Sequence, residues 1–313
     1  MTISVALVGL GLAGRGIEKN GSPDSHIGAL MRVDSFNLVV AVDPVESTHQ
    51  DLRKTLPDVQ FYSNIGELSK GDGIDLIVFA EPPQHRLENV ASVLEHLTPK
   101  AVLLEKPIAP STREATFLVE LLREAGVDSF VSFPRRSDSL TGLIKREFFD
   151  SGPETSARGH VWYSKDALNS AIHFLNLIDY WAGPLDSSSI LRLEKDPRRP
   201  TFMVSNEFSI FTFSPTPGMN WVHNGLDVML PGGRLRYDFG GRVIEWAAPD
   251  FPDKRGPIGE LVVHTIPGDL ENRFVQMYRE LYRALSSERN DYALTTGSEA
   301  LRQQELINRI LPR

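Results

Sequence analysis

The chain has 313 residues, of which 41% are hydrophobic and 24% are charged. This length exceeds the roughly 250 residues that one hydrophobic core ordinarily serves, so two domains are expected. With 33 Lys and Arg against 41 Asp and Glu, the net charge of -8 disfavours nucleic-acid binding. No apolar run approaches the roughly 18 residues of a membrane span, and the start lacks the basic flank and cleavage site of a secretory signal. With no cysteines available for disulfides or thiol chemistry, the composition predicts a cytoplasmic globular protein without membrane or nucleic-acid partners.

Residues 1–133 alternate short β-branched runs with helical periodicity, the pattern of parallel strands joined by crossover helices. The predicted strands lie near 3–8, 38–42, 60–62, 76–80, 101–104 and 130–133. Before the last strand, Ser111 and Glu114 have the spacing of a capping box, which predicts a helix that ends at Gly126. The first half is therefore predicted to be a doubly wound parallel sheet.

Residues 134–313 have a different pattern. Apolar and polar residues alternate over longer segments such as 201–213 and 234–237, and a turn signal lies at 231–233. This pattern predicts an open, mainly antiparallel sheet. Helices are expected at 169–182, near 271–285 and near 298–311. The second half is predicted to be an α+β domain for substrate binding and, where the protein assembles, for oligomer contacts.

A glycine motif, Gly9-Leu-Gly11-Leu12-Ala13-Gly14, directly follows the first predicted strand. In a dinucleotide-binding Rossmann fold the first Gly permits a tight turn, the second lets the backbone approach a pyrophosphate, and the third allows close helix packing. Glycines at a strand end can also form only a turn. The strand context favours cofactor binding by Gly9, Gly11, Leu12, Ala13 and Gly14.

Asp43 ends the second predicted strand, where a carboxylate can accept hydrogen bonds from the adenosine ribose. This favours NAD, with NADP as the alternative cofactor. Asp43 lies 29 residues after Gly14 rather than about 20, so the first crossover contains extra chain, which we place in a loop at 15–25. The alternative is that Asp43-Pro44 is merely a strand-ending turn.

Three further motifs follow in chain order. They are Glu81-Pro82-Pro-Gln-His85, Glu105-Lys106-Pro107 and Asn169-Ser-Ala-Ile-His173. Together with the glycine motif, this set resembles the Gfo/Idh/MocA family, named for glucose-fructose oxidoreductase, inositol dehydrogenase and rhizopine catabolism protein. The resemblance extends over essentially the whole chain and is strongest in the first half.

The resemblance implies an NAD(P)-dependent oxidoreductase that acts on a CH-OH group of a sugar, polyol or sugar derivative. It implies cofactor contacts by Pro82, His85 and Glu105. Lys106 would contact both cofactor and substrate and act in catalysis, and His173 would be the base. Arg135 or Arg136 would bind a substrate anion. Without the resemblance, the alternative for Lys106 is a solvated surface charge, and the alternative for His173 is a histidine that packs against its neighbours without a chemical role.

Asn169 departs from the family pattern, which has an Asp four residues before the histidine. Both positions share a helical face, so Asn169 is expected to bind substrate and assist His173, whose ordinary pKa near ~6.5 suits a base. Asp166 either supplies the missing charge or is only an acidic first turn.

Three functions therefore remain open at this stage. The first is a dehydrogenase, and the second is a dinucleotide-binding sensor without turnover. The third is a redox-neutral, NAD-using lyase or glycosidase. Family members commonly pair through the open sheet face, which implies a homo-oligomer, either a dimer or a tetramer, with a small sugar-like substrate and no metal.

Overall fold

The computed structural model describes residues 2–16, 23–150, 156–194, 196–218, 222–250, 260–286 and 292–311. The strands are β1 (Ile3–Val8), β2 (Phe36–Val42), β3 (Gln60–Tyr62), β4 (Leu76–Phe79), β5 (Ala101–Leu104), β6 (Asp128–Val131), β7 (Arg158–Tyr163), β8 (Asp186–Arg192), β9 (Phe202–Ser205), β10 (Ile210–Pro215), β11 (Gly225–Leu230), β12 (Gly233–Asp238), β13 (Val243–Asp250), β14 (Glu260–Pro267) and β15 (Thr295–Thr296). The α-helices are α1 (Leu12–Arg15), α2 (His26–Leu30), α3 (Glu46–Arg53), α4 (Arg86–Leu94), α5 (Thr112–Glu124), α6 (Ser139–Ile144), α7 (Ile172–Ala182), α8 (Arg273–Ser286) and α9 (Gly297–Ile310).

The first compact unit consists of Met1–Ser137 and Glu271–Arg302. Its sheet has the order β15-β6-β5-β4-β1-β2-β3, in which β1 to β6 run parallel and β15 is antiparallel to β6. The predicted doubly wound parallel sheet is confirmed. Because β1 lies between β4 and β2, the strand order reverses there, and the carboxyl ends of β1 and β4 border the crevice where such sheets bind ligands.

Helix α5 shows how local sequence sets an element of this unit. Ser111 Oγ accepts a hydrogen bond from the backbone N–H of Glu114 at 3.2 Å and donates to the Glu114 carboxylate at 2.6 Å. Ala115, Leu118 and Leu122 form the buried face, as the periodicity predicts. Gly126 follows with a φ of 69°, a conformation that glycine adopts at little cost.

The C-terminal residues 271–302 differ from a single domain division at residue 133, because they pack with the first unit. Helix α8 contributes Phe274, Met277 and Leu281 to the core that also contains the β1 side chains, and β15 pairs with β6. The periodicity of α8 identifies an apolar face but does not identify the core that this face enters. That assignment depends on contacts across about 270 residues of chain, beyond the range of a local pattern.

The second compact unit consists of Asp138–Leu270 and Gln303–Arg313. Its sheet has the order β14-β13-β12-β11-β7-β10-β9-β8, and only β7 and β10 pair in parallel among its described strand pairs. The predicted open, mainly antiparallel sheet is confirmed. The predicted segment 201–213 divides into β9 and β10, because Asn206 Oδ1 accepts a hydrogen bond from Ser209 N at 2.8 Å in a turn between them.

The predicted helix at 169–182 is composite. A π-helical turn over Ala167–Ala171 precedes α7, which ends before Gly183 with a φ of 85°. Single π turns are rare and occur often at functional sites. Among the described residues, no helix has the length and hydropathy needed to cross a membrane.

Candidate functional site

The glycine turn begins where β1 ends. Gly9 has a φ of 94°, and its backbone N–H donates to the carbonyl of Val42 at 2.8 Å. A Cβ at Gly9 would lie 2.5 Å from the backbone nitrogen of Glu81. Both the conformation and the close approach to the end of β4 therefore require glycine here.

The second and third glycines differ in the space around them. A Cβ on Gly14 would lie 2.1 Å from the carbonyl oxygen of Gly9, so Gly14 allows α1 to pack on the turn. A Cβ on Gly11 would meet nothing within 4 Å. Leu12 is exposed and Ala13 is half-buried. The open space at Gly11 fits a pyrophosphate approaching the backbone, which is the role expected of the second glycine.

Asp43 lies immediately after β2, beside this turn. Its Oδ2 accepts a hydrogen bond from the backbone N–H of Leu10 at 2.7 Å, and its Oδ1 accepts one from Val45 N at 2.9 Å. Asp43 thus forms the strand-ending turn and also fixes the glycine turn. Its carboxylate is half-buried, and its further role toward a ribose stays a prediction.

The extra chain at 15–25 lies partly outside the described residues, since 17–22 are not among them. Arg15 ends α1, and Ser25 caps α2 by accepting a hydrogen bond from Gly28 N at 3.1 Å. Asp24 forms an ion pair with Arg273. The described ends of this segment are therefore attached to the first unit.

The segment after β4 contains an acid whose carboxylate oxygens are buried, and two exposed residues. Pro82 and His85 are exposed, as cofactor contacts require. Within the described part of the chain, neither carboxylate oxygen of Glu81 accepts a hydrogen bond, although Oε1 lies 3.4 Å from Arg86 Nε. Burial raises the pKa of Glu81 to about 7, and the charge of Arg86 offsets only part of this effect. Glu81 is therefore a largely desolvated acid at the carboxyl ends of the adjacent strands β5, β4 and β1, which we call the cofactor edge.

Glu105 and Lys106 follow β5, next to the end of β4. The Glu105 carboxylate lies 3.2 Å from His26 Nε2, and His26 Nδ1 lies 2.9 Å from the hydroxyl of Tyr278. Burial works to raise the pKa of Glu105. The hydrogen bond and charge of His26, with smaller effects of Ser132 and Lys106, outweigh burial and hold this pKa below its ordinary value. Glu105 is therefore an ionised neighbour of Lys106, and both residues are half-buried.

Two residues of this edge were missed by sequence reasoning. His26 comes from the extra crossover chain, and no motif in that chain points to Glu105. Arg86 directly follows His85, and its side chain is only 1% exposed. A charged residue at the start of a helix ordinarily faces solvent, so sequence gave no sign that Arg86 is buried.

The two arginines after β6 have different surroundings. Arg136 is buried, and its Nη2 donates to Glu299 Oε1 at 3.0 Å, while Glu299 Oε2 accepts from Thr296 N at 2.8 Å. This ion pair attaches the start of α9 to the first unit. Arg135 is half-buried. A role for either in holding a substrate anion stays a prediction.

In the second unit, the acid before the helix and the amide on it are in contact. Asp166 Oδ1 accepts from Asn169 N, and Asp166 Oδ2 accepts from Asn169 Nδ2, each at 2.7 Å. Asn169 is exposed, and His173 is half-buried one helical turn later. Asp166 is thus both the first-turn cap and a charge that orients the Asn169 amide. The side-chain oxygen of Asn169 remains a hydrogen-bond acceptor.

One sequence relative and two solved structures illustrate what the chain is similar to. An uncharacterized oxidoreductase of Schizosaccharomyces pombe is 34% identical over 106 residues, which are 34% of this chain and only 28% of that relative. The WlbA dehydrogenase from Bordetella pertussis, solved with NADH and UDP-GlcNAcA, is 19% identical with a TM-score of 0.71, over 99% of this chain and 95% of its own. A super-repressor mutant of Gal80p from Saccharomyces cerevisiae is 15% identical with a TM-score of 0.77, over 99% and 95%.

The glycine turn, the acid after β2 and the motifs after β4 and β5 all lie within one matched region. Residues 3–133 match the family described as the Gfo/Idh/MocA oxidoreductase family, NAD-binding Rossmann fold. The cofactor that this description names fits the open space at Gly11 and the close packing at Gly14. Over residues 3–133, which are less than half of the chain, the sequence is similar to the NAD-binding Rossmann domain of the Gfo/Idh/MocA oxidoreductase family.

Proposed function

We propose that this protein is an NAD-dependent dehydrogenase that acts on a secondary alcohol of a sugar, polyol or sugar derivative. The observation that carries the proposal is the edge formed by three adjacent strands in the order β5-β4-β1. The glycine turn follows β1, the Pro82–His85 region follows β4, and Glu105-Lys106 follows β5. A dinucleotide-binding turn and a half-buried acid next to a lysine thus belong to one end of one sheet.

When bound, NAD supplies the hydride acceptor, and the protein supplies binding, orientation and proton transfer. In this proposal the ammonium of Lys106 stabilises negative charge on the reacting oxygen. The imidazole of His173 accepts the hydroxyl proton, which suits a group with an ordinary pKa near ~6.5. The Asn169 side-chain oxygen accepts a hydrogen bond from a substrate hydroxyl, while one of the two N–H donors of Nδ2 is bonded to Asp166.

One comparison supports the sugar-like substrate class. The WlbA dehydrogenase was solved with a sugar nucleotide, and that protein shares the fold of this chain. Asn169 and His173 belong to the second unit, whose open sheet is the substrate domain in this proposal. We also propose that the protein is a homo-oligomer, which sedimentation can test. The NAD preference rests on the carboxylate of Asp43.

A screen of polyols, sugars and sugar nucleotides tests this function, with NAD and NADP in parallel and the absorbance of reduced cofactor as the readout. We expect stoichiometric reduction of NAD with at least one alcohol substrate. The activity should be lost in Lys106→Ala and retained in Lys54→Ala, which removes an exposed lysine of the same unit. Reduction that survives in Lys106→Ala at the wild-type rate would remove Lys106 from the mechanism.

A second candidate function is a dinucleotide-dependent regulator without turnover. Two observations favour it: Asn169 stands where the family pattern has a carboxylate, and Gal80p, a repressor by its name, shares the fold at a TM-score of 0.77. NAD binding without reduction by any alcohol in the screen would favour this function. Substrate conversion without net cofactor reduction would instead favour a redox-neutral lyase or glycosidase.

A further inference from the structure

Arg86 is the first residue of α4 and one of the largest fully buried side chains of the protein. Its Nη1 donates to the carbonyl of Pro107 at 2.6 Å and to that of Ile108 at 3.1 Å, and it also donates to the carbonyl of Glu105. Its Nη2 donates to the carbonyl of Glu81. One guanidinium therefore binds the backbone after β4 and the backbone after β5.

The carbonyls of Glu105 and Pro107 belong to the residues on either side of Lys106. We propose that Arg86 is a positioning residue for Lys106, which fixes the backbone from which the Lys106 side chain projects. This inference rests on the proposed function, since the consequence of misplacing Lys106 depends on its part in the reaction. Arg86 itself is buried beneath these loops and acts through them.

The donor geometry explains why an arginine is needed at this position. A guanidinium presents five N–H donors in a fixed plane, whereas a lysine ammonium has three donors on a flexible stem and a shorter reach. Four carbonyls from two loops converge on Arg86. A lysine there would leave several buried carbonyls without donors, and the loops would shift to regain hydrogen bonds.

The charge of the guanidinium is balanced by the carboxylate of Glu81 and, to a smaller extent, by that of Glu105. Its Nε faces the Glu81 carboxylate at 3.4 Å, and the carbonyl dipoles face the two Nη atoms. The ends of β4 and β5 therefore share one buried cation. A small displacement of Lys106 is enough to change turnover, since a 1 Å misplacement of a reacting group can cost ~10²-fold.

The test compares Arg86→Lys with the control Arg199→Lys, which makes the same change at a half-buried arginine bound to the carbonyl of Thr216 in the second unit. Four readouts are taken below the melting temperature of each variant. They are kcat and KM, the Kd of NAD, the Kd of ADP-ribose, and the NMR titration of Lys106 after reductive ¹³C-methylation, assigned with Lys106→Arg.

We expect Arg86→Lys to lower kcat by ~10-fold or more and to shift the Lys106 titration. The Kd of ADP-ribose, which lacks the nicotinamide, should stay within about threefold of wild type, because the hydrogen bonds described for Arg86 go to the carbonyls after β4 and β5. Arg199→Lys should change none of these. A purely structural role predicts a lower melting temperature with unchanged kcat and an unchanged Lys106 titration, and that outcome overturns the proposal.

Two further outcomes are decisive. If Arg86→Lys does not fold, Arg86→Gln replaces it, because an amide avoids burying an ammonium; failure of both to fold would assign Arg86 to fold stability and overturn the proposal. If the wild-type protein reduces no cofactor with any alcohol, the proposed function fails. The Lys106 titration and the ratio of the NAD and ADP-ribose Kd values still test Arg86 in that case.

Discussion

The cofactor edge of the first unit and the Asp166–His173 segment of the second unit hold their polar groups in different ways. At the cofactor edge, buried side chains distant in sequence bind the strand ends: His26 is 0% exposed and contacts Glu105, and Arg86 is 1% exposed. In the segment, Asp166 contacts Asn169 three residues away at the surface. Substitutions at the edge should therefore act by displacing groups, and those in the segment by changing charge.

The largest expected effect compares one residue of each region. Lys106→Ala and His173→Ala should each lower kcat by ~10² or more, because each removes a group assigned to charge stabilisation or proton transfer. The Kd of NAD should change far less in both. Steady-state kinetics with NAD titrations measure this, and Lys54→Ala is the control. Near-normal turnover in one variant would remove that residue, and with it that region, from the chemistry.

Two substitutions in the glycine turn separate an effect on folding from an effect on cofactor binding. Gly14→Ala should lower the melting temperature, because its Cβ would lie 2.1 Å from the carbonyl oxygen of Gly9. Gly11→Ala should fold normally, because nothing lies within 4 Å, and yet raise the Kd of NAD by ~10-fold or more by filling the space of the pyrophosphate. Thermal unfolding and NAD titration separate the two. A Gly11→Ala variant with wild-type NAD affinity would contradict the cofactor position.

The comparison also shows how much the sequence could predict. The glycine turn, the Ser111 cap and the parallel strands follow from local pattern, and the fold was predictable for that reason. The contact of His26 with Glu105 joins residues 79 apart, and that of Arg86 with Ile108 joins residues 22 apart across two loops. Neither leaves a periodic or spacing signal. The Asp166–Asn169 contact could be predicted from sequence, because side chains three residues apart at the start of a helix are neighbours.

Asp43 is expected to give a smaller change than the glycines. The wild-type protein should bind NAD more tightly than NADP, because the carboxylate repels a 2′-phosphate. Asp43→Asn keeps an acceptor for Leu10 N but loses the one for Val45 N, and it should mainly reduce this preference with a small loss of melting temperature. Asp43→Ala loses the bonds to Leu10 and Val45 and should also lower the melting temperature. A wild-type preference for NADP, measured by titration, would reverse the assignment.

The raised pKa of Glu81 predicts that the stability of the protein depends on pH through this residue. Burial raises its pKa from an ordinary 4.5 to about 7, so the folded protein favours the protonated form. The resulting stability is fully present below about pH 4.5 and is lost as the pH rises through about 7. Glu81→Gln should therefore gain melting temperature relative to wild type between pH 5 and pH 8. The exposed Glu88→Gln of α4 is the control, and a difference that is constant with pH would refute the prediction.

The smallest expected effect is a shift in the acidic limb of the pH profile of kcat/KM when the charge at Asp166 is changed. This limb reports the pKa of the base, and a nearby negative charge raises that pKa. Asp166→Asn removes the charge that lies beside Asn169 and should move the limb to lower pH by a fraction of a unit, because the site is exposed and screened. High salt should reduce the shift.

Asn169→Asp alone is not the simple gain of a charge that the family pattern suggests. The new carboxylate would stand where the Asn169 amide now donates to Asp166 at 2.7 Å, and two carboxylates this close retain a shared proton. The single variant should therefore move the limb upward only slightly. The double variant Asp166→Asn/Asn169→Asp has one unshared carboxylate in the family position and should move it furthest to higher pH. If all three variants keep the wild-type limb and the limb survives in His173→Ala, His173 is not the base, and the proton is accepted elsewhere.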